Sequence, residues 1–289
     1  MTGDPPAVID AADPGDPGEA GDPIAVAFGA GLAGMPPGRL DVLTVGEAMV
    51  AFRSEGLLAQ GSRWVVRLAG AESNVAIGLA RLGHRVGWVG RVGADRFGDL
   101  VVRTLRGEGV ETAHAVVDPE RPTGLMFVEQ RSADLARVDY RRAGSAGSAL
   151  HADDLVAALA ARPRVLHLTG ITPALSDSAR EAVSDTVVAA RRDGILVCLD
   201  VNFRSQLWSR ERASAVLAPL AGRVDVVVAG DDELGLVRPG TPADVADVAD
   251  VTDVADAREE AAIVSALLSG GVRQVAVKRG ARGASLFTG

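Results

Sequence analysis

The sequence predicts an α/β fold in which helices cover both faces of a parallel sheet, giving three layers, with a small separate β-sheet beside it. From Leu150 onward, short apolar runs alternate with amphipathic segments of helical length. Two earlier blocks, residues 48–68 and 123–142, have β-like patterning and contain no helical segment. Nearly continuous apolar strands between amphipathic helices are typical of a parallel sheet that is buried on both faces.

The individual elements follow from the same patterns. Ser73 and Asn74 are predicted N-caps of a helix that ends at Gly83. A later helix can be capped between Ser176 and Ser178 and can end at Gly194. We expect strands over residues 41–45, 86–89, 165–168, 195–199, 224–228, 274–277 and 284–287, and helices over residues 153–161, 178–192, 209–217 and about 257–268.

Two segments differ in composition from the rest of the chain. Residues 1–38 are rich in Pro, Gly, Asp and Ala, and the first basic residue is Arg39, so we expect a disordered acidic tail. Residues 242–256 repeat Val-Ala-Asp with a period of three, which suits neither a helix nor a strand. We interpret them as a low-complexity surface insertion. Residues 39–289 would then form the folded domain.

Composition limits the classes of function. The formal net charge of −8 argues against nonspecific nucleic-acid binding, which needs a basic surface. The single cysteine, Cys198, cannot form an intrachain disulfide, and no apolar run is long enough to span a bilayer. We therefore expect a cytoplasmic protein with neither nucleic-acid nor membrane partners.

Polar residues follow four successive predicted strands, where ligands bind in open α/β sheets. This pattern predicts a polar, charged crevice. The stretches are Thr169-Gly-Ile-Thr172, Asp200-Val-Asn202-Phe-Arg204, Gly230-Asp-Asp-Glu233 and Lys278-Arg-Gly280-Ala-Arg-Gly283.

Each stretch also has a structural interpretation. Asp200, Asn202 and Arg204 could close a turn through an ion pair, although ligand contact is favoured. The Asp231–Glu233 acids could stabilise a helix N-terminus, or Glu233 could hold Mg²⁺ through water. Lys278 is the only lysine in the chain. Together with the glycines that follow, it suits a loop that lies along nucleotide phosphates. The histidines and Cys198 show no spacing typical of a metal site or a nucleophilic triad.

The stretch from Leu68 to Gly98 contains two linked motifs. The first reads Ala69-Gly70-Ala-Glu-Ser-Asn74-Val-Ala, and the second reads Gly90-Arg-Val-Gly93-Ala-Asp95-Arg-Phe-Gly98. Alone, the first could be an ordinary tight turn. Together, their order and spacing resemble the signature of the ribokinase-like (PfkB-type) carbohydrate kinases, in which an alanine here replaces the first glycine. The resemblance extends from about Leu40 to Gly289. It implies a ribokinase-like core and a β-sheet lid over the sugar. Residues 48–68 and 123–142 would form this lid, and a homodimer could form through it.

Within that family, three stretches resemble the 2-keto-3-deoxygluconate kinases. They begin at Tyr140, at Leu166 and at Asp200. The resemblance implies that Gly70, Asn74, Tyr140, Arg142, Asn202 and Arg204 bind the substrate. Arginine suits an acid sugar because a planar guanidinium matches a carboxylate. The family usually has two tyrosines before the arginine, and here the second is Arg141.

The implied activity is ATP-dependent phosphorylation of 2-keto-3-deoxygluconate or a related acid sugar, with Mg²⁺. Asp200, Asn202, Lys278, Gly280 and Gly283 would bind the nucleotide, and Arg204 would stabilise transition-state charge. The family's catalytic aspartate lies in a Gly-Ala-Gly-Asp motif, which would fall beyond Gly289, so we expect the chain as given to transfer phosphate poorly. The alternatives are a kinase for a neutral sugar such as fructose or ribose, and a non-catalytic sugar-binding protein.

Overall fold

The computed structural model describes residues 8–10, 39–54, 56–130, 136–240 and 257–289. These residues divide into two compact units. The first unit is Leu40–Ala189, and the second is Ala190–Gly289 with the described residues before Leu40. Of the expected acidic tail, only Val8–Asp10 is described, as a short strand. The rest of the tail and the expected insertion at 242–256 lie outside the described residues.

The described strands and helices bear out the expected alternation. The strands are β1 (Val8–Asp10), β2 (Val42–Val45), β3 (Met49–Ser54), β4 (Trp64–Ala69), β5 (Val86–Val89), β6 (Arg91–Gly93), β7 (Val116–Asp118), β8 (Leu125–Gln130), β9 (Ala136–Arg141), β10 (Val165–Thr169), β11 (Leu196–Asp200), β12 (Val226–Gly230), β13 (Gln274–Lys278) and β14 (Ala284–Thr288). The helices are α1 (Ala71–Arg81), α2 (Arg96–Gly107), α3 (Asp153–Ala160), α4 (Thr172–Leu175), α5 (Asp177–Arg192), α6 (Arg210–Ala221) and α7 (Ala257–Ser269).

The first unit contains a group of parallel strands and a separate antiparallel and parallel four-stranded sheet. Strands β10, β2 and β5 pair in parallel, in that order. All residues of β2, β5 and β10 are buried, as expected for strands covered on both faces. Strands β4, β3, β8 and β9 form a separate four-stranded sheet. These four strands come from the two β-rich blocks predicted to form the lid.

The second unit has a mixed sheet with a parallel centre. Strands β11, β12 and β13 pair in parallel, whereas β14 pairs antiparallel with β13, and β1 pairs antiparallel with β14. The expectation of parallel strands throughout was therefore wrong for β14. Only a short 3₁₀ turn, Gly280–Arg282, lies between β13 and β14. A parallel neighbour needs a crossover of a dozen or more residues, so this short connection requires an antiparallel hairpin.

The helix ends show which local signals can be read from sequence. Gly83 and Gly194 follow α1 and α5 with φ of 90° and 69°, as predicted for helix stops. The Ser176 hydroxyl accepts a hydrogen bond from the Ala179 N–H at 3.1 Å, which confirms the predicted cap. The predicted caps of α1 were wrong: Gly70 occupies the N-cap position, and Ser73 and Asn74 lie inside the first turn.

No helix among the described residues is both long and apolar enough to cross a membrane.

Asp95, in the second signature motif, ties helix α2 to the chain before β8. Its Oδ1 accepts the backbone N–H groups of Phe97 and Gly98 at 3.0 and 2.8 Å, and so caps the helix. The Thr123 hydroxyl donates to Oδ1 and the Thr123 N–H donates to Oδ2, both at 2.8 Å. The motif therefore has a structural role in this chain: one carboxylate joins two segments.

We predict that Asp95→Ala lowers the free energy of unfolding by about 2–4 kcal/mol, because it removes a helix cap and leaves the buried Thr123 N–H without its acceptor. Urea denaturation followed by circular dichroism measures this. Ser209→Ala is the matched control, since Ser209 caps α6 through a single bond to the Arg212 N–H. It should cost about 1 kcal/mol. Equal losses for the two variants would contradict the joining role of Asp95.

Candidate active site

Each unit holds one group of the predicted site residues. In the first unit, Tyr140 and Arg142 lie with Glu47 and Ser145, close to the Gly70 backbone; we call these five residues the first-unit cluster. In the second unit, the predicted nucleotide and phosphate residues follow β11, β12 and β13; the second-unit cluster is Asp200, Asn202, Arg204, Glu233, Lys278, Gly280 and Gly283.

A buried ion pair forms the centre of the first-unit cluster. The Nη2 atom of Arg142 contacts Oε2 of Glu47, and the two side chains are only 10% and 1% exposed. The Ser145 hydroxyl donates to Oε1 of Glu47 at 2.8 Å. Burial raises the pKa of the Glu47 carboxyl, while Arg142 and Ser145 act to lower it. Arg142, predicted to contact the substrate, is therefore already paired with a carboxylate of its own unit.

The aromatic ring of Tyr140 stacks against the same arginine. The Arg142 guanidinium carbon lies 5.3 Å from the ring centroid, a cation–π contact. The Nε atom of Arg142 is buried and has no hydrogen-bond partner among the described residues. The structure thus brings two predicted substrate residues together and leaves one buried donor unused.

Gly70 lets helix α1 begin directly against Glu47, which lies in the short link between β2 and β3. Its φ is +151°, and a Cβ there would lie 2.6 Å from the backbone oxygen of Glu47, so no other residue fits without strain. Asn74 is exposed, and its backbone N–H donates to the Gly70 oxygen at 3.0 Å. Both are placed at a helix N-terminus, where free N–H groups can bind hydroxyls or anions.

A second buried carboxylate, Glu72, was not predicted. It is 1% exposed, and its Oε1 accepts the hydroxyls of Thr169 at 2.6 Å and Thr172 at 2.9 Å. Burial raises the pKa of Glu72; the threonine bonds oppose that rise, and the charge of Glu47 adds to it. The polar strand end at 169–172 therefore serves Glu72 in the structure, which is a role that the sequence pattern did not suggest.

In the second unit, Lys278, the only lysine of the chain, lies on β13 and pairs with Asp200 on β11, across the intervening strand β12. The Lys278 Nζ atom donates to Asp200 Oδ1 at 2.8 Å, and the lysine side chain is still 44% exposed. Its exposure leaves it able to contact a phosphate. Cys198, two residues before Asp200, has a thiol whose burial raises its pKa to about 12, so it is not a nucleophile.

Glu233 holds the loop that carries the predicted phosphate-binding residues. Its Oε1 accepts the Phe203 N–H at 2.8 Å, and its Oε2 accepts the Gly230 N–H at 2.7 Å. Between Asp200 and this contact, Asn202 adopts a left-handed conformation with φ of 41°. Glu233 therefore fixes the loop in the structure. Its proposed water-mediated contact with Mg²⁺ stays a prediction.

The remaining second-unit residues are accessible. Arg204 is exposed, and its Nη1 donates to the neighbouring Phe203 oxygen at 2.8 Å. Gly280 and Gly283 bound the turn between β13 and β14, and no atom would lie within 4 Å of a Cβ at either position. An open turn beside a lysine is suited to phosphate groups.

The described residues contain no group of three or more His, Cys, Asp or Glu side chains that could hold a metal ion. This is compatible with Mg²⁺, which keeps several waters and binds nucleotide phosphates with few protein carboxylates. Because each Glu233 oxygen already accepts a backbone N–H, its fit to Mg²⁺ is through water rather than by direct ligation.

The sequence indicated where the site residues lie in the fold better than it indicated which residues they contact. Glu47 and Ser145 were not among the predicted site residues. The local signal that could have found Glu47 is its place directly after Gly46 at the end of a buried strand. Nothing local indicates its pairing with Arg142.

We predict that Glu72→Gln changes how stability depends on pH. The folded state holds the Glu72 proton more tightly than the unfolded chain, so this carboxyl lowers stability as pH rises above its ordinary pKa of 4.5, until the raised folded-state pKa is passed. The variant keeps an acceptor for both threonines but cannot ionise. Relative to wild type, its free energy of unfolding should therefore rise with pH in urea denaturation between pH 5 and 8. The exposed Glu181→Gln should follow wild type; a Glu72→Gln profile parallel to wild type would contradict the prediction.

Known proteins with similar sequences or structures fit this geometry. The pfkB family carbohydrate kinase model matches residues 39–289. A 2-dehydro-3-deoxygluconokinase from Thermoproteus tenax is 36% identical over 200 residues, which cover 67% of this chain and 60% of that protein. The chain therefore spans less than two thirds of that relative's length.

Solved structures agree with the family match. A PfkB protein from Polaromonas sp. JS666 gives a TM-score of 0.74 at 33% identity, covering 86% of this chain and 79% of that one. A 2-dehydro-3-deoxygluconokinase from Thermotoga maritima gives a TM-score of 0.70 at 25% identity, covering 82% and 72%. The fold is thus the mixed α/β fold of the ribokinase-like kinases, and the chain belongs to the pfkB family of carbohydrate kinases.

Proposed function

We propose that this protein phosphorylates an acid sugar, 2-keto-3-deoxygluconate or a close relative, at the expense of ATP. The observation that carries the proposal is Arg142, a buried arginine with an unused N–H donor, stacked on Tyr140. Such a group is suited to a carboxylate, which accepts from several donors at once. The Thermoproteus tenax relative is named for 2-dehydro-3-deoxygluconate, which is the same compound.

In the first unit, the proposed substrate contacts are Gly70, Asn74, Tyr140 and Arg142. The Gly70 backbone and the first turn of α1 would bind sugar hydroxyls through N–H groups. Arg142 would bind the carboxylate, with Tyr140 holding the plane of the guanidinium. This assigns the acidic end and the hydroxyl end of the sugar to different residues of the same unit.

In the second unit, the proposed roles concern phosphate. Lys278, Gly280 and Gly283, with Asp200 and Asn202, would bind ATP. Arg204 and Lys278 would offset the negative charge that develops during phosphoryl transfer, a reaction that depends mainly on positioning and charge stabilisation. Mg²⁺, bound with ATP, would supply further neutralisation of phosphate charge.

A neutral ketose is the second candidate substrate. The observation in its favour is the Glu47–Arg142 contact, because this pair carries no net charge to attract an anion. A homodimer through the lid sheet also stays a prediction. It is supported by Leu57, Leu58 and Val66, which are 65%, 67% and 41% exposed near or on β4.

A coupled ADP-release assay with a sugar panel tests the proposal, together with calorimetric binding of each sugar. We expect 2-keto-3-deoxygluconate to bind and to support ADP release at least about tenfold better than fructose or ribose, which corresponds to one charged contact. Better use of fructose or ribose would favour the neutral-sugar kinase. Sugar binding without ADP release above background would favour the non-catalytic alternative.

We predict that Arg142→Ala weakens binding of the acid sugar by roughly 2–5 kcal/mol, because a desolvated contact between opposite charges is lost, while fructose binding changes little. Titration calorimetry with both sugars measures the difference. Arg141→Ala is the matched control, since Arg141 is the exposed adjacent arginine of β9. Equal weakening for both sugars in Arg142→Ala, or the same selectivity loss in Arg141→Ala, would remove the carboxylate assignment.

A further inference from the structure

Arg142 and Ser145 lie at the two ends of one tight turn, and both bind the same carboxylate. The Ser145 N–H donates to the Arg142 oxygen at 3.0 Å, and Gly144 inside the turn has a φ of +70°. A positive φ at this third position is typical of a type II turn and explains the glycine. The side chains of Arg142 and Ser145 then reach Oε2 and Oε1 of Glu47. Glu47 therefore holds both ends of the turn.

The Glu47 side chain is itself closely confined. It follows β2, and two glycines from other segments leave room for it. A Cβ on Gly147 would lie 2.4 Å from its Cγ, and a Cβ on Gly124 would lie 2.7 Å from its Oε1. With backbone on these sides and only 1% of the side chain exposed, the carboxylate has little freedom to rotate. It is a rigid anchor for whatever it binds.

Two contacts fix the Arg142 guanidinium. Tyr140 stacks against the guanidinium and so limits tilting of its plane. The ion-pair contact of Nη2 with Glu47 Oε2 limits rotation within that plane. A guanidinium has several more N–H donors than one carboxylate oxygen uses, and the Nε donor is buried without a partner among the described residues. The donors not used by Glu47 are thus held in a set direction.

We propose that Glu47 is a positioning residue: by holding Arg142, it sets the preference of the site for acid sugars over neutral ones without touching the sugar. The inference rests on the proposed function, because it takes Arg142 as the group that binds the sugar carboxylate. Neither Arg142 nor Glu47 alone would give this preference. An arginine without the anchor has a long, flexible side chain, and recognition of a planar carboxylate depends on the angle between the two groups.

The test compares binding of 2-keto-3-deoxygluconate and fructose by titration calorimetry in wild type, Glu47→Ala and Glu47→Asp. We expect the acid-to-neutral affinity ratio to fall at least about tenfold in Glu47→Ala, the size expected for loss of one oriented charged contact. Glu47→Asp keeps the charge but is one methylene too short to hold both Arg142 and Ser145. It should lower the ratio in the same direction by at least about threefold, and it carries the test if the alanine variant does not fold.

The matched control is a second buried pair of the same kind in the same unit. Asp118 binds Arg91 at 3.0 Å, with side chains 4% and 17% exposed, and Arg91 also binds Asp154. Asp118→Ala should lower thermal stability, as Glu47→Ala does, but should leave the affinity ratio unchanged. A loss of acid preference in Asp118→Ala would mean that the ratio reports general destabilisation and would overturn the inference.

A double-mutant cycle shows whether Glu47 acts through Arg142. In an Arg142→Ala background, Glu47→Asp should no longer change the ratio, because the group it positions is absent. If Glu47→Asp and Glu47→Ala keep the wild-type ratio, or if they change it equally with and without Arg142, the positioning role is wrong.

The same data separate this inference from the proposed function. If wild type shows no acid preference at all, the proposed substrate class fails. If wild type prefers the acid sugar and Arg142→Ala abolishes that preference while the Glu47 variants keep it, the proposed function stands and only the positioning role fails.

Discussion

The buried ion pair between Glu47 and Arg142 is the contact on which the geometry of the first-unit cluster depends. A charge that is removed from water is tolerated only when a partner neutralises it. Removing one partner of a buried ion pair is far more destabilising than replacing both partners with apolar residues. Glu47 lies two residues after β2, and Arg142 directly follows β9. The pair therefore joins the end of the parallel sheet of the first unit to the end of its four-stranded sheet through a charged contact.

The start of α1 is tied to the same place. The backbone oxygen of Glu47 lies where a side chain on Gly70 would be, so the helix can begin there only with glycine. In the first turn of that helix, the buried Glu72 carboxylate accepts hydrogen bonds from the hydroxyls of Thr169 and Thr172. Two carboxylates thus lie close to one helix N-terminus, one balanced by an arginine and the other by hydroxyls and backbone N–H groups. This arrangement costs stability and leaves polar groups at a fixed position, as expected of a binding site.

Much of this fold could be predicted from the sequence because its signals are local. Apolar runs that alternate with amphipathic segments identify strands and helices, and glycines such as Gly83 and Gly194 mark helix ends. The start of α1 was misplaced because Ser73 and Asn74 are typical caps, whereas the φ of Gly70 depends on its packing against Glu47. The antiparallel β14 was missed because orientation depends on how short a connection is, which periodicity does not report.

The sequence predicted which residues lie at the candidate site, but not which residues they contact. Tyr140, Arg142, Asp200 and Lys278 were expected at the site from motifs and strand ends. The contact of Glu47 with Ser145 joins residues 98 positions apart, and no sequence period connects them. Pairing of this kind is set by the tertiary fold, so it appears only when the strands are assembled.

The most direct test of the account is to observe the Arg142 side chain itself while sugar binds. In ¹⁵N-labelled protein, the Arg142 Nε–H signal can be assigned by its loss in Arg142→Lys. We expect that 2-keto-3-deoxygluconate shifts this signal, because the unused donor gains a carboxylate acceptor, and that fructose at equal saturation leaves it in place. An Arg142 signal that does not respond to the bound acid sugar, or that responds equally to both sugars, would contradict the account.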